Sequence, residues 1–264
     1  MLKKCILFFL LFQIHQLAIA QADLFDSDSY KDQVLENLDI YLVIGQSNMA
    51  GRASIREEDK ALVSKAYLFT GIGPTPWTSA VNPLNLHSTV RKKVEMQRLS
   101  PAYSFVKSMT EALPEKEFGL VVNAKGGTKI VQWLPGTELY EAAIKQARKA
   151  LKYGKLKGVI WHQGEGDCHP IRVDQYLGRL EILINAIREE FDDPELPFVA
   201  GQLYENENRH AFNEMLLQLP DFIRYTGVAS SKGTTVFDGT HFDSESAILL
   251  GNRYAMEMIK IQKE

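Results

Sequence analysis

The chain has 264 residues, of which 45% are hydrophobic, 24% charged and 10% aromatic. Those proportions exclude collagen-like, low-complexity and wholly disordered chains, and they supply enough apolar side chains for a substantial core. Thirty Lys and Arg against 33 Asp and Glu give a formal net charge of -3, and with no basic cluster a nucleic-acid partner is not expected.

Taken in chain order, Lys3 and Lys4 precede an apolar run over residues 5–12, and Ala18-Ile19-Ala20 offers small residues at the spacing a signal peptidase reads. This predicts a secretory signal peptide over residues 1–20, too short and wrongly flanked for a membrane span. The expected product is secreted or periplasmic. Cys5 would leave with the signal, so Cys168 has no partner within the chain, and stability must rest on the hydrophobic core. Residues 21–37 are polar and acidic and read as a leader, followed by a single domain over residues 38–264.

Within that domain, short apolar runs at 39–44, 118–123, 158–162 and 198–203 predict buried strands. Helical periodicity covers residues 138–152, 173–191 and 243–261, the last with Asp243 or Ser244 placed to cap its first turn. Residues 70–94 lack periodicity and read as a long surface excursion near a site. Strands alternating with amphipathic helices imply βαβ units, a parallel sheet covered on both faces and one α/β domain.

In such a sheet, ligands gather where loops leave the carboxyl ends of the strands. Residues 44–52 (I-G-Q-S-N-M-A-G-R) place Ser47 just past a strand, beside glycines that allow a sharp turn, where a nucleophile would be exposed. Met49 stands where a G-x-S-x-G elbow would have its second glycine, and helix capping by Ser47 or Asn48 is the competing explanation. Residues 123–128 (N-A-K-G-G-T) follow the next strand with a glycine pair that lets backbone N–H groups approach a ligand. Residues 161–169 (W-H-Q-G-E-G-D-C-H) contain zinc-capable side chains, but not at the spacing of a zinc motif. The other possibility is that Gln163 donates to an oxyanion while Glu165 holds the loop. Finally, residues 237–243 (F-D-G-T-H-F-D) set Asp238 and His241 three apart across Gly239, close enough to pair through one turn; a surface D-G turn is the alternative. Together these are the parts of a hydrolytic triad site.

The same four strings, in this order, resemble the SGNH (GDSL-like) hydrolase superfamily and, within it, the sialate O-acetylesterase-type group that includes carbohydrate esterase family 6. The resemblance implies a three-layer α/β/α, flavodoxin-like fold with no metal or cofactor. It implies Ser47 as nucleophile, His241 as general base and Asp238 as its orienting carboxylate. It further implies an oxyanion hole built from the Ser47 N–H, the Gly127 N–H (or that of Gly126) and the Gln163 side chain. Gln46, Asn48, Gly126, Trp133 and Glu165 are expected as supporting or substrate-contacting residues. Residues 98–105 are poorer in glycine than the corresponding family segment, and Lys125 stands where a small or apolar residue is expected. The implied substrate is an acetylated carbohydrate, acetylxylan or a related saccharide, with sialate or a non-catalytic sugar-binding role as alternatives. Trp77, Trp133, Tyr103 and Phe242 are the aromatics available to stack on a sugar.

Overall fold

The computed structural model describes residues 35–263; the expected signal peptide, and the expected leader as far as residue 34, lie outside them. Runs of Val, Ile, Leu, Phe and Tyr form seven strands: β1 (Leu38–Gly45), β2 (Val63–Phe69), β3 (Trp77–Ala80), β4 (Phe118–Val122), β5 (Gly154–His162), β6 (Phe198–Gly201) and β7 (Thr226–Ala229). They make one sheet in the order β3-β2-β4-β1-β5-β6-β7, parallel except where β3 runs antiparallel to β2. The helices are α1 (Ser47–Ala50), α2 (Pro101–Ala112), α3 (Glu138–Ala150), α4 (Pro170–Glu190), α5 (His210–Leu217), α6 (Leu219–Phe222) and α7 (Ser244–Ile261).

Strand alternation explains why helices cover both faces. Tyr41 and Val43 of β1, Leu120 of β4, Ile160 of β5 and Val199 of β6 share one cluster with Phe105 and Met109 of α2 and Leu250 and Met258 of α7. Their neighbours Ile40, Leu42, Ile44, Trp161 and Phe198 are equally buried but point the other way, as do the buried faces of α3 and α4, including Ile144, Tyr176 and Leu180. The result is the expected three-layer α/β/α fold. Residues Glu36–Glu264 cluster as one compact unit. Among the described residues no helix is long and apolar enough to cross a membrane.

Four expected strands and three expected helices are present with ends shifted by a few residues, and Asp243 caps α7 by accepting the Ser246 N–H at 2.9 Å. The excursion over residues 70–94 is corrected: it contains β3 and a 3-10 turn (Leu84–His87), and its Asn85 and Ser88 are fully enclosed. Strand β2 escapes a pattern search because Lys65 adopts φ 57° and the pairing with β3 slips between Val63 and Tyr67. Strand β7 spans four residues with a central glycine, too short for periodicity to register. The segment that departs from the glycine-rich family pattern forms the start of α2, with Ser100 accepting the Ala102 N–H at 3.3 Å and Pro101 in the first turn.

Candidate active site

The three central strands β4, β1 and β5 end side by side, and this register assembles the loops that carry the motifs. Val43 pairs with Val122, and Gly45 pairs with His162. Beyond them the backbones stay stitched: the Lys125 N–H donates to Gly45 O at 2.9 Å, and the Gln46 N–H to His162 O at 2.8 Å. Ser47, Gly126 and Gln163 therefore leave the sheet together.

Ser47 opens the single helical turn α1 and makes no capping bond there. Its Oγ lies 2.9 Å from His241 Nε2, while His241 Nδ1 lies 2.6 Å from Asp238 Oδ2. A carboxylate accepts only, so Nδ1 carries the proton and Nε2 presents its lone pair to the hydroxyl. The loop that aims the imidazole is a tight turn with Gly239 at φ 80°, a conformation that favours glycine. Asp238 Oδ1 closes that turn by accepting the His241 N–H at 2.8 Å and the Thr240 N–H at 3.1 Å. Burial alone would raise the Asp238 carboxyl, but the bonds from the His241 ring, the His241 N–H and the Thr240 N–H together outweigh it and hold it below the ordinary carboxylate value.

Asn48 locks this loop to the nucleophile. Its Oδ1 accepts the Phe242 N–H at 3.1 Å, and its Nδ2 donates to Thr240 O at 3.2 Å and to Glu165 Oε1 at 2.8 Å. Burial, the largest influence, pushes the Glu165 carboxyl up, against its own backbone bond, the Asn48 bond and the attraction of Arg209 and His241.

The glycine pair faces the nucleophile. A Cβ on Gly126 would lie 2.8 Å from Arg52 Nη2 and 3.2 Å from Ser47 Cβ, so the backbone here passes close to both side chains. Among the described residues the N–H groups of Ser47, Gly126 and Gly127 have no acceptor. The loop is held by its surroundings instead: Asn85 accepts the Ala124 N–H at 3.0 Å and donates to Ala124 O at 3.1 Å, and Ser88 Oγ donates to Asn123 Oδ1 at 3.0 Å. Arg52 donates through Nη1 to Gly51 O and Met96 O, each at 2.7 Å, and Lys92 Nζ stands 3.2 Å from where a Gly127 Cβ would be. No ion pair to a carboxylate is formed by Arg52, Lys92 or Lys125 among the described residues.

The Gln163 side chain, expected as an oxyanion donor, is 1% exposed and its Nε2 already faces Asp167 Oδ2 at 2.7 Å, Thr128 O at 3.0 Å and Gln46 Oε1 at 3.1 Å. Two hydrogens serve three acceptors, so an oxyanion would have to displace one of them. In this geometry Gln163 and Gln46 brace the loops behind the nucleophile. Trp133, expected as a supporting or substrate-contacting residue, is 0% exposed, donates to Thr128 Oγ1 at 3.0 Å and packs edge-on against Trp161. It therefore supports the glycine loop from within. The zinc alternative places ligands apart: burial, then Arg209, pushes the His162 imidazole down to about 3, while His169 is exposed on the surface. Among the described residues no group of three His, Cys, Asp or Glu could hold a metal ion. Sequence reasoning gave no role to Asn85, Ser88 and Lys92, which reach the site from the segment over residues 70–94 without a motif, nor to Arg52 at the end of the 44–52 string.

Comparison with known proteins matches residues 37–260 to the family described as "Carbohydrate esterase, sialic acid-specific acetylesterase". A probable carbohydrate esterase of Arabidopsis thaliana is 28% identical over 234 residues, covering 80% of this chain and 86% of that protein. Its solved structure superposes with a TM-score of 0.76 at 26% identity, over 85% of this chain and 98% of that one. The structure of NanS superposes with a TM-score of 0.70 at 14% identity, over 88% and 99% of the two chains. A carbohydrate acetylesterase from Xanthomonas citri gives 0.63 at 20% identity, over 85% of this chain and 57% of that one. The last two share the fold.

Two outcomes follow from the packing. Gln163→Ala leaves the buried Asp167 carboxylate with only the Ile130 N–H at 3.0 Å on Oδ2. Chemical denaturation should read a loss of about 1–3 kcal/mol, together with reduced turnover. Glu165 has a raised folded pKa, so its contribution to stability is present at low pH and is lost as pH rises through that value. Glu165→Gln keeps an acceptor for Asn48 and removes the buried charge. Its Tm should match wild type near pH 4 and exceed it at pH 8; a Tm difference independent of pH would contradict this.

Proposed function

The chain belongs to the carbohydrate esterase family of sialic acid-specific acetylesterases, whose members are carboxylic ester hydrolases, and from that premise we propose that it is an exported serine esterase removing O-acetyl groups from carbohydrate such as acetylxylan. The observation that carries the reading is the continuous relay Asp238–His241–Ser47, with contacts of 2.6 and 2.9 Å, beside three unpaired backbone N–H groups.

In this reading neutral His241 takes the Ser47 proton at Nε2 as Oγ attacks the acetyl carbonyl. The developing oxyanion is held by the Ser47 N–H and the N–H groups of the glycine pair, fixed dipoles that need no reorganisation. His241 then returns the proton to the departing sugar oxygen. Water repeats the sequence on the acetyl-enzyme and releases acetate. Asp238 keeps the imidazole in the tautomer that leaves Nε2 free, and its lowered pKa supports a carboxylate that stays ionised across the working range.

A second reading, an acidic sugar such as a sialate, is favoured by Arg52, Lys92 and Lys125 around the glycine pair, where they could meet a substrate carboxylate. A non-catalytic sugar-binding role would leave the relay without work.

Acetate release from acetylated xylo-oligosaccharides and from O-acetyl sialic acid tests these readings. Ser47→Ala and Asp238→Asn should each lower kcat by on the order of 10³-fold or more, the first by removing the nucleophile and the second by releasing the wrong tautomer. Equal trivial rates for wild type and Ser47→Ala on every acetylated sugar would leave binding alone. Lys92→Glu separates the substrates. If the acidic sugar is preferred, its KM should rise on the order of fivefold, less at high salt, while KM for the neutral saccharide stays near wild type.

A further inference from the structure

We propose that Phe237 is the platform on which the pyranose ring of the leaving alcohol stacks. The proposal rests on the carbohydrate acetylesterase reading and adds the place where the sugar sits.

The aromatics expected to meet a sugar are unavailable. Trp133, Tyr103 and Phe242 are buried, and Trp77 lies on edge strand β3, packed against Phe69 and Tyr153. Phe237, by contrast, is 58% exposed and immediately precedes the triad aspartate. Its ring lies nearly parallel to the His241 imidazole, at 26° with centroids 6.0 Å apart. Its backbone is fixed: the Phe237 N–H donates to His241 O at 3.0 Å, and Val236 bridges to Phe242 across the same turn. The turn that aims the imidazole thus also carries the exposed phenyl ring beside it.

The chemistry decides which part of the substrate meets it. His241 Nε2 is the atom that protonates the departing oxygen, which must therefore come within about 3 Å of it. The sugar carbon bonded to that oxygen is held beside the imidazole, and a pyranose ring extends from there across the neighbouring phenyl face. The acetyl group lies on the other side, where its carbonyl oxygen meets the amides of Ser47 and the glycine pair. Phe237 accordingly belongs to the alcohol side. The apolar C–H face of a pyranose covering this ring would remove from water an aromatic surface that the fold leaves open.

The test compares acetylated xylo-oligosaccharide with ethyl acetate, whose leaving alcohol is too small to stack. Phe237→Ala should lower the ratio of kcat/KM for the sugar ester to that for ethyl acetate about three- to tenfold, and Phe237→Trp should restore it. A disturbance of His241 alone would affect both esters and cancel in the ratio, so an unmoved ratio in Phe237→Ala overturns the platform. Wild type that hydrolyses ethyl acetate but no acetylated sugar, neutral or acidic, would overturn the carbohydrate reading and the platform with it. Wild-type turnover of the sugar ester with an unmoved ratio overturns the platform only.

Discussion

A hydroxyl and an imidazole 194 positions apart in the chain must be kept within bonding distance by something stiffer than their own contact. Asn48 supplies that constraint. One buried carboxamide, adjacent to the nucleophile, accepts the N–H that follows His241 and donates to the carbonyl that precedes it. Its second hydrogen reaches Glu165 and ties in the loop after β5. Such bonds are individually modest, about 0.5–1.5 kcal/mol each, but here they span three separate loops and converge on one residue. The loop bearing His241 lies between β7 and α7, shaped by its own tight turn and the Val236–Phe242 bridge and met from outside by Arg209, which donates to Thr240 Oγ1 at 3.0 Å. Without the Asn48 strut the imidazole would have to search for the serine, and the advantage of pre-paid orientation would be lost.

The oxyanion side obeys a related rule. A loop that must keep its N–H groups free for a ligand cannot be rigidified by those same groups. The glycine loop is therefore held from outside, by Asn85 on both backbone atoms of Ala124, by Ser88 and Thr89 on the Asn123 side chain, and by the bond from the Lys125 N–H to Gly45 O. Gln163 extends the same scaffold behind the nucleophile, with Tyr176 donating to its carbonyls and Asp167 receiving its amide. This accounts for a glutamine deep in the site whose donors are all engaged. Such engagement fixes the dipoles around it.

The fold and the pairing of Asp238 with His241 were legible because their signals are local. Residues 40–44 are apolar on both faces and run into Gly45, as a short central strand does, and Asp238-Gly239-Thr240-His241 closes its own turn. What stayed hidden depends on contacts that no spacing encodes. Asn85 looks like any loop asparagine until the chain returns it against Ala124, and Arg52 looks like a surface charge until its Nη2 meets the face of Gly126. For Trp133 two roles, support or substrate contact, were open. A tryptophan beside a glycine pair invites a sugar, yet the indole was needed inside, where its N–H satisfies Thr128 and its ring fills the space against Trp161. Strand β2 was missed because a lysine at positive φ breaks its pattern, a local irregularity tolerated by a strand whose outer neighbour, β3, is only four residues long.

The two halves of the site differ in burial, and that difference bears on what each can specify. Gln46, Ser47, Asn48 and Gln163 are nearly sealed, whereas the side chains of His241 and Asp238 are 22% and 42% exposed. An acetyl group is small and always the same, so its half can be built from fixed, buried dipoles whose residue types the chemistry dictates. The alcohol is large and variable, so its half opens to solvent, and there the Asp238–His241 pair shares the surface with exposed side chains. Both halves carry motif strings, residues 44–52 and 161–169 on the sealed side and residues 237–243 on the open one. The ester chemistry can thus be read from residues with strong local signatures, whereas under the proposed function the choice of sugar would fall to exposed residues, Phe237 beside His241 and Lys92 beside Gly127.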